Sequence, residues 1–333
     1  MTLPRLTLLA AATLAFAFPA AANDSEAAIG LGGLELVANQ TVSMDSEDLY
    51  ISQKEVRVRY RYTNHAPRDV ELTVSFPVPI LPGDLHDILG ERAFPEFAKL
   101  GFTTTVDGKP VALGHVERAM VGERDVTQRL AQLGWPLEWY RSYPDRIAFI
   151  DKLTDAQKAA FLHEGLLLHP AREPDMIEPA WSLVTHVTRR QLFPAGKTVE
   201  VTHRYAPLAG GSVGGAFNRQ YRQEDYARQR IAQYCVDRDF LAAFDRRQSA
   251  GTKGGAEPFY MEHWIHYLLK PGANWRGPIG DFRLVVDKGR ADNMVSFCMN
   301  GVRKISPTQF EVRRTNYEPD RNIAVLVIEW VKP

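Results

Sequence analysis

The sequence predicts a mainly β, α+β protein built as two antiparallel β-sandwich-like units, and three observations carry that prediction. Val56, Val58, Tyr60 and Tyr62 alternate with Arg57, Arg59 and Arg61, and Val70, Leu72, Val74 and Phe76 alternate with Glu71, Thr73 and Ser75. A period of two gives each segment one dry face and one wet face, whereas a helix would scatter the same valines around its circumference. After residue 256, short apolar segments follow one another with turn residues between them, which is a sandwich or barrel pattern. Between these regions the apolar period becomes helical twice, at about 117–179 and about 218–250.

Residues 1–22 read as a signal peptide. Arg5 supplies a positive charge, Leu6–Phe18 an apolar run too short to span a bilayer, and Ala20-Ala21-Ala22 the small residues before a cut between Ala22 and Asn23. The mature chain is therefore expected to be periplasmic or secreted, with no later segment approaching the ~20 apolar residues of a membrane span.

The first unit is expected over 23–250. Val56–Tyr62 and Val70–Phe76 flank a turn at Asn64–Asp69 and are predicted to pair as an antiparallel hairpin. The second of them must stop at Phe76-Pro77-Val78-Pro79, because proline has no N–H for a ladder. Asp107-Gly108, between Phe102–Val106 and Val111–Val116, suits a hairpin turn with positive φ. In the first helical region Asp125 is placed to cap a helix holding Val126, Leu130 and Leu133, which Gly134 and Pro136 end. Thr154 with Gln157 is a capping-box pattern opening a second helix that ends near Gly165.

Strands return at Trp181–Thr188 and Thr198–Tyr205, joined through Phe193-Pro194-Ala195-Gly196 and read as two arms of one hairpin. A glycine-rich linker, Gly210–Gly215, leads into helical segments at Tyr221–Tyr234 and Arg238–Gln248, the latter capped by Asp237. Ser249–Gly255 is a small-residue hinge before the second unit, 256–333. Its strands are expected at Tyr260–Leu269, Phe282–Val286, Met294–Met299, Phe310–Arg314 and Ile323–Trp330.

Forty basic and forty acidic residues cancel, and no long basic run is present, so nucleic acid is a poor partner. The two cysteines, Cys235 and Cys298, read as a disulfide in an oxidising compartment, with two separate buried thiols as the other reading. The bond would tie the second helical region to a C-terminal strand.

Few motifs carry chemistry. His163-Glu164 lacks the zinc-protease spacing, because His169 is six residues on rather than four and Gly165 and Pro170 break the helix. Gly210-Gly211-Ser212-Val213-Gly214 has the letters of a nucleophile elbow, but that elbow belongs to a parallel sheet, and the bland reading is a linker. His186 and His203 could approach each other across their hairpin, and Glu262, His263 and His266 form a second cluster. Neither shows a third converging metal ligand, so structural histidines are the plainer reading and neither a metal nor a cofactor is expected. Trp135, Trp139, Tyr140 and Tyr143 could line a ligand groove, or could plug the insertion onto a sheet.

Several short motifs occur in a fixed order along the chain. They are Gly32-Gly33-Leu34, Met44 with Glu47-Asp48-Leu49-Tyr50-Ile51-Ser52, Phe76-Pro77-Val78-Pro79, Phe193-Pro194-Ala195-Gly196, Tyr205-Ala206-Pro207, and Asn274-Trp275 followed by Gly277-Pro278-Ile279. That order resembles an exported bacterial family catalogued as domain of unknown function 4424. The resemblance spans most of the mature chain and implies no catalytic residues. The leading expectation is a non-enzymatic binding or assembly module of the bacterial cell envelope, whose partner is another envelope protein or a glycan. One alternative is a hydrolase using Ser212 or a histidine cluster. Another is a carbohydrate-binding module using Trp135, Trp139, Tyr140 and Tyr143.

Overall fold

A computed structural model describes residues 25–30, 33–78, 100–122, 124–137, 150–169, 175–207, 209–213, 215–253 and 259–331. The expected signal segment, 1–22, lies outside the described residues. In the first part of the chain the strands are β1 (Ser25–Gly30), β2 (Gly33–Val37), β3 (Val42–Ser52), β4 (Val56–Asn64), β5 (Val70–Pro77), β6 (Thr103–Val106), β7 (Lys109–Pro110), β8 (Gly114–Val121) and β9 (Arg124–Asp125). Helices α1 (Thr127–Leu133) and α2 (Asp155–Glu164) follow, then β10 (Leu167–Leu168), β11 (Glu178–Pro179), β12 (Ser182–Phe193), β13 (Thr198–Tyr205) and β14 (Ala209–Ser212). Helices α3 (Asp225–Gln233) and α4 (Arg238–Lys253) precede β15 (Phe259–Tyr267), β16 (Ile279–Asp287), β17 (Met294–Phe297), β18 (Arg303–Lys304), β19 (Gln309–Tyr317) and β20 (Ile323–Val331).

The protein is mainly β. An eight-stranded sheet, in the order β18-β19-β16-β3-β4-β13-β6-β7, packs against two others: a six-stranded sheet, β2-β1-β5-β12-β8-β9, and a four-stranded sheet, β14-β15-β20-β17. The principal core lies between these layers. Val58, Tyr60 and Tyr62 of the eight-stranded sheet meet Val74, Phe76 and Val187 of the second and Ile265, Tyr267 and Val327 of the third. The alternation read from Val56 to Tyr62 is the burial pattern of β4, whose arginines take the outer face. There Asp48, Arg283, Glu311 and Arg303 form a ladder of ion pairs across three strands and the short edge.

Two connections differ from the hairpins expected. β4 pairs with β3 and β13, while β5 pairs with β1 and β12 in the opposite sheet. Likewise β12 and β13 lie in different sheets. Both connections are arches that cross the sandwich, and they run side by side. The Asn64 side chain fastens them, donating to the carbonyls of Arg68 at 2.9 Å and Phe193 at 2.8 Å, while the Gly196 N–H donates to the Asn64 carbonyl at 3.0 Å. A hairpin and an arch bury the same dry faces, so alternation alone cannot choose between them.

The pairing is antiparallel everywhere among the described strands except between β3 and β16, which run parallel. At that junction Gly280 lies against the backbone of Asp45, where β3 bulges between Met44 and Ser46. The eight-stranded sheet and its core thus draw on residues from both sides of position 256: β16 and β19 extend it, while β15, β17 and β20 build the four-stranded sheet.

The helical regions form local layers. Residues 117–121, expected at the start of the helical insertion, are the end of β8, which pairs with β12. Val126, just before α1, and Leu130 within it pack with Ala119, Leu166 and Trp181 in a small separate core. Thr154 and Gln157 make the capping box, and Gly165 ends α2 at φ 71°. α3 and α4 cover the outer face of the four-stranded sheet, with Phe217, Tyr234 and Phe244 set on Trp264, Ile328 and Trp330. Asp237 caps α4 by accepting from the Phe240 N–H at 2.7 Å. Cys235, in the α3–α4 turn, and Cys298, just past β17, form the expected disulfide, with 5.1 Å between their Cα atoms.

Candidate functional site

The sandwich has an open mouth where two sheet edges meet. β18 covers β19 only at Glu311 and Phe310, so among the described residues Val312–Tyr317 pair on one side alone, with β16. Local sequence leaves this edge bare. β18 is two residues long after a tight turn at Gly301 with φ 66°, and Asn316 takes φ 49° near the end of β19. Among the described residues β17 is likewise an edge, paired only with β20. Between the two edges runs a groove of about 660 Å³, lined from one side by Val295, Ser296 and Phe297 and from the other by Phe310, Arg314 and Tyr317.

The groove is mixed in chemistry. Polar groups make up most of its lining, and among its apolar side chains Phe297 belongs to the principal core, against which Val295, Phe310 and Tyr317 pack, partly buried. Val302 and Ile305, beside the β18 edge, are 40% and 39% exposed. The disulfide and Asp237 form one wall, held by the Ser296 hydroxyl donating to the Tyr234 carbonyl at 2.9 Å. On the other wall the Arg314 guanidinium donates to the carbonyls of Asn300 and Arg313. Burial, then the charges of Asp320 and Glu47, push the Tyr317 hydroxyl up, so it remains a protonated donor at neutral pH. A bare strand edge beside a groove offers backbone hydrogen bonds and side-chain contacts to an extended chain.

Among the described residues, the serine and histidines singled out in the sequence are placed as follows. Ser212 of β14 stands opposite Glu262 of β15, so the two share a face. His263 points to the other face, where its Nε2 lies 3.0 Å from Glu329 Oε2. No hydrogen bond joins Ser212 to a histidine among the described residues. Glu262 is buried, and burial pushes its carboxyl up to about 7, against the pull of Arg230, the Trp264 Nε1–H at 3.3 Å and the Ala216 backbone. His266 Nε2 lies 3.1 Å from the Tyr234 hydroxyl.

His186 and His203 do not approach each other, because their strands belong to different sheets. His203 lies in the principal core with its Nδ1 2.7 Å from Thr104 Oγ1 and its ring against Phe76 and Phe102. Val187 faces that core, so His186 takes the opposite face of β12, with its Nδ1 3.1 Å from Ser75 Oγ. Burial, then the Arg118 charge, lower His186 to about 4. His169 Nδ1 is 2.8 Å from the Met176 carbonyl. Among the described residues no three His, Cys, Asp or Glu side chains are grouped to hold a metal ion. Trp135 packs on Phe161 at 4.5 Å and Trp181 at 6.0 Å, whereas Trp139, Tyr140 and Tyr143 lie outside the described residues.

The principal core also holds a carboxylate. Glu47 sits fully buried in the principal core, where the Tyr267 hydroxyl donates to its Oε1 at 3.0 Å and the Tyr60 hydroxyl lies 2.8 Å from that of Tyr267. The signal was present: Glu47 has the same parity as Leu49 and Ile51, which places a carboxylate on a dry face.

A family model described as "Domain of unknown function (DUF4424)" matches residues 22–326. No curated protein matches the chain. Among solved structures the chain is similar to one from Legionella pneumophila described as a "putative nutrient binding protein", with 14% sequence identity over 92% of this chain and 70% of that one, at a TM-score of 0.44.

Proposed function

The chain belongs to the family described as domain of unknown function DUF4424, and from that premise we propose that it is a non-enzymatic binding module of the bacterial cell envelope. Its site is the mouth between β17 and β19, and its occupant is an extended segment of another envelope protein. The observation that carries this reading is the bare edge of β19 at Val312–Tyr317, open onto a mainly polar groove that a few apolar side chains such as Val295, Phe297 and Phe310 also line. Main-chain bonds from such an edge supply affinity, and pockets for alternate side chains supply selectivity. Export is supported by the amino-terminal pattern of Arg5, Leu6–Phe18 and Ala20–Ala22 and by a disulfide, a bond characteristic of oxidising compartments.

The test is site-specific photocrosslinking in intact cells, with the photoreactive residue at Val302 beside the groove or at Lys109 on the distant β7. Adducts formed at Val302 and absent at Lys109, mapping to one segment of one envelope protein, are the expected result. Equal adducts at both positions, or a glycan in place of a protein, would sink the proposal.

A further inference from the structure

A second groove, of about 680 Å³, lies on the exposed side of α4 and is separate from the mouth between β17 and β19. Arg238, Leu241, Ala242, Asp245, Arg246 and Ser249 line it at the three- and four-residue spacing of one helical face. Arg219 and Arg222 form the facing wall, from the segment that precedes α3. That wall is fixed in place. Arg222 Nε donates to the Phe217 carbonyl at 2.8 Å, and its guanidinium lies 6.0 Å from the centre of the Phe244 ring. Arg222 grips the Asp245 carboxylate with both terminal nitrogens, and Arg219 Nε reaches the same carboxylate at 2.8 Å.

The charges in this groove do not balance. Asp245 answers Arg219 and Arg222, while Arg238 and Arg246 are exposed and meet no acid among the described residues. Four arginines therefore stand against one aspartate, in a chain whose total charge is zero. An excess of one sign in a concave site concentrates ligands of the other sign. The planar fork of arginine matches the oxygens of a phosphate group two at a time.

We propose that this groove binds a small soluble ligand carrying two phosphate groups. The two uncompensated arginines are eight residues apart, roughly 12 Å along the helix axis. Asp245, next to Arg246, is already held by Arg219 and Arg222, so a ligand that engages both remaining guanidiniums must be anionic at two separated ends. The volume is that of a small-molecule site, within the usual range of about 300–1,000 Å³. This inference is independent of the mouth proposed above.

The experiment is calorimetric titration of the whole chain with fructose 1,6-bisphosphate and with inorganic phosphate as probes. The expected result is saturable binding of one bisphosphate per chain, with inorganic phosphate weaker. Arg238→Gln and Arg246→Gln should each weaken bisphosphate binding about tenfold or more. Arg321→Gln, in the other groove, should leave it unchanged. Arg238 and Arg246 are exposed, and circular dichroism checks that the variants remain folded. Absence of saturable binding, or an equal loss in Arg321→Gln, would overturn the proposal. So would sedimentation with anionic phospholipid vesicles without bisphosphate binding, which would assign these arginines to a membrane surface instead.

Discussion

Two buried titrating groups should impose opposite pH dependences on stability, each masking the other in the wild-type chain. Glu262 is 2% exposed between the four-stranded sheet and the helices, and burial raises its carboxyl from 4.5 to about 7. The folded chain therefore holds this proton more tightly than the unfolded chain does. The stability gained is complete below pH 4.5 and is lost as pH rises to about 7. At about 1.4 kcal/mol per pH unit the gain is about 3 kcal/mol. His186, 7% exposed, is displaced the other way, from 6.5 to about 4. Its contribution is complete above pH 6.5 and is lost as pH falls to about 4, again by about 3 kcal/mol. Between pH 4.5 and 6.5 the slopes nearly cancel. Glu262→Gln should therefore expose a loss of about 3 kcal/mol on acidification, and His186→Gln a loss of similar size as pH rises from 4.5 to 7. Urea unfolding at half-unit steps from pH 4 to 8 measures both. Parallel curves for the three proteins would refute the reasoning.

Four further outcomes are expected. Replacing both Cys235 and Cys298 by serine opens a loop of 63 residues and should cost about 4 kcal/mol in urea unfolding; no change would mean the helical layer holds without its tether. Gly280→Ala would set a Cβ 2.5 Å from the Asp45 carbonyl oxygen and should cost at least about 1–3 kcal/mol, seen as a lower melting temperature. Tyr267→Phe removes the hydroxyl that donates to buried Glu47 and should cost about 1–3 kcal/mol by the same assay. Hydrogen bonds from Arg283, Arg303 and Arg313 hold Glu311 at about 2, so its contribution is present above pH 4.5 and lost as pH falls toward 2. Glu311→Gln should flatten that acid limb of the stability curve.

What was legible followed from local chemistry. The alternation of β4, the capping box of α2, the Asp107-Gly108 turn and the Cys235–Cys298 pair each depend on residues whose preferences act within a few positions or on a pairing with one solution. What was not legible depends on partners. β4 and β5 present the dry faces a hairpin would need, yet they pair into facing sheets, and Asn64 fastens the two connections that cross between those sheets. The candidate mouth was hidden for a similar reason. Whether Val312–Tyr317 has a neighbour on its outer side is a property of sheet order, and its own residues are ordinary for a strand. The arginine groove was half visible: Arg238 and Arg246 share a helical face in the sequence, but Arg219 and Arg222 meet them only in the folded chain.

The neighbours of β3 bear on how the molecule is assembled. Asp48 and Arg283, bonded at 3.0 Å across its parallel pairing with β16, are 235 positions apart. A chain that emerges amino end first holds this central strand with one flank unsatisfied until nearly all the rest has been delivered. Closing so long a loop is slow, and an unfinished copy can meanwhile lend its own strand to the vacancy. The yield of intact protein is then decided by a race between completion of one chain and collision with another, a contest that the finished contacts leave no trace of.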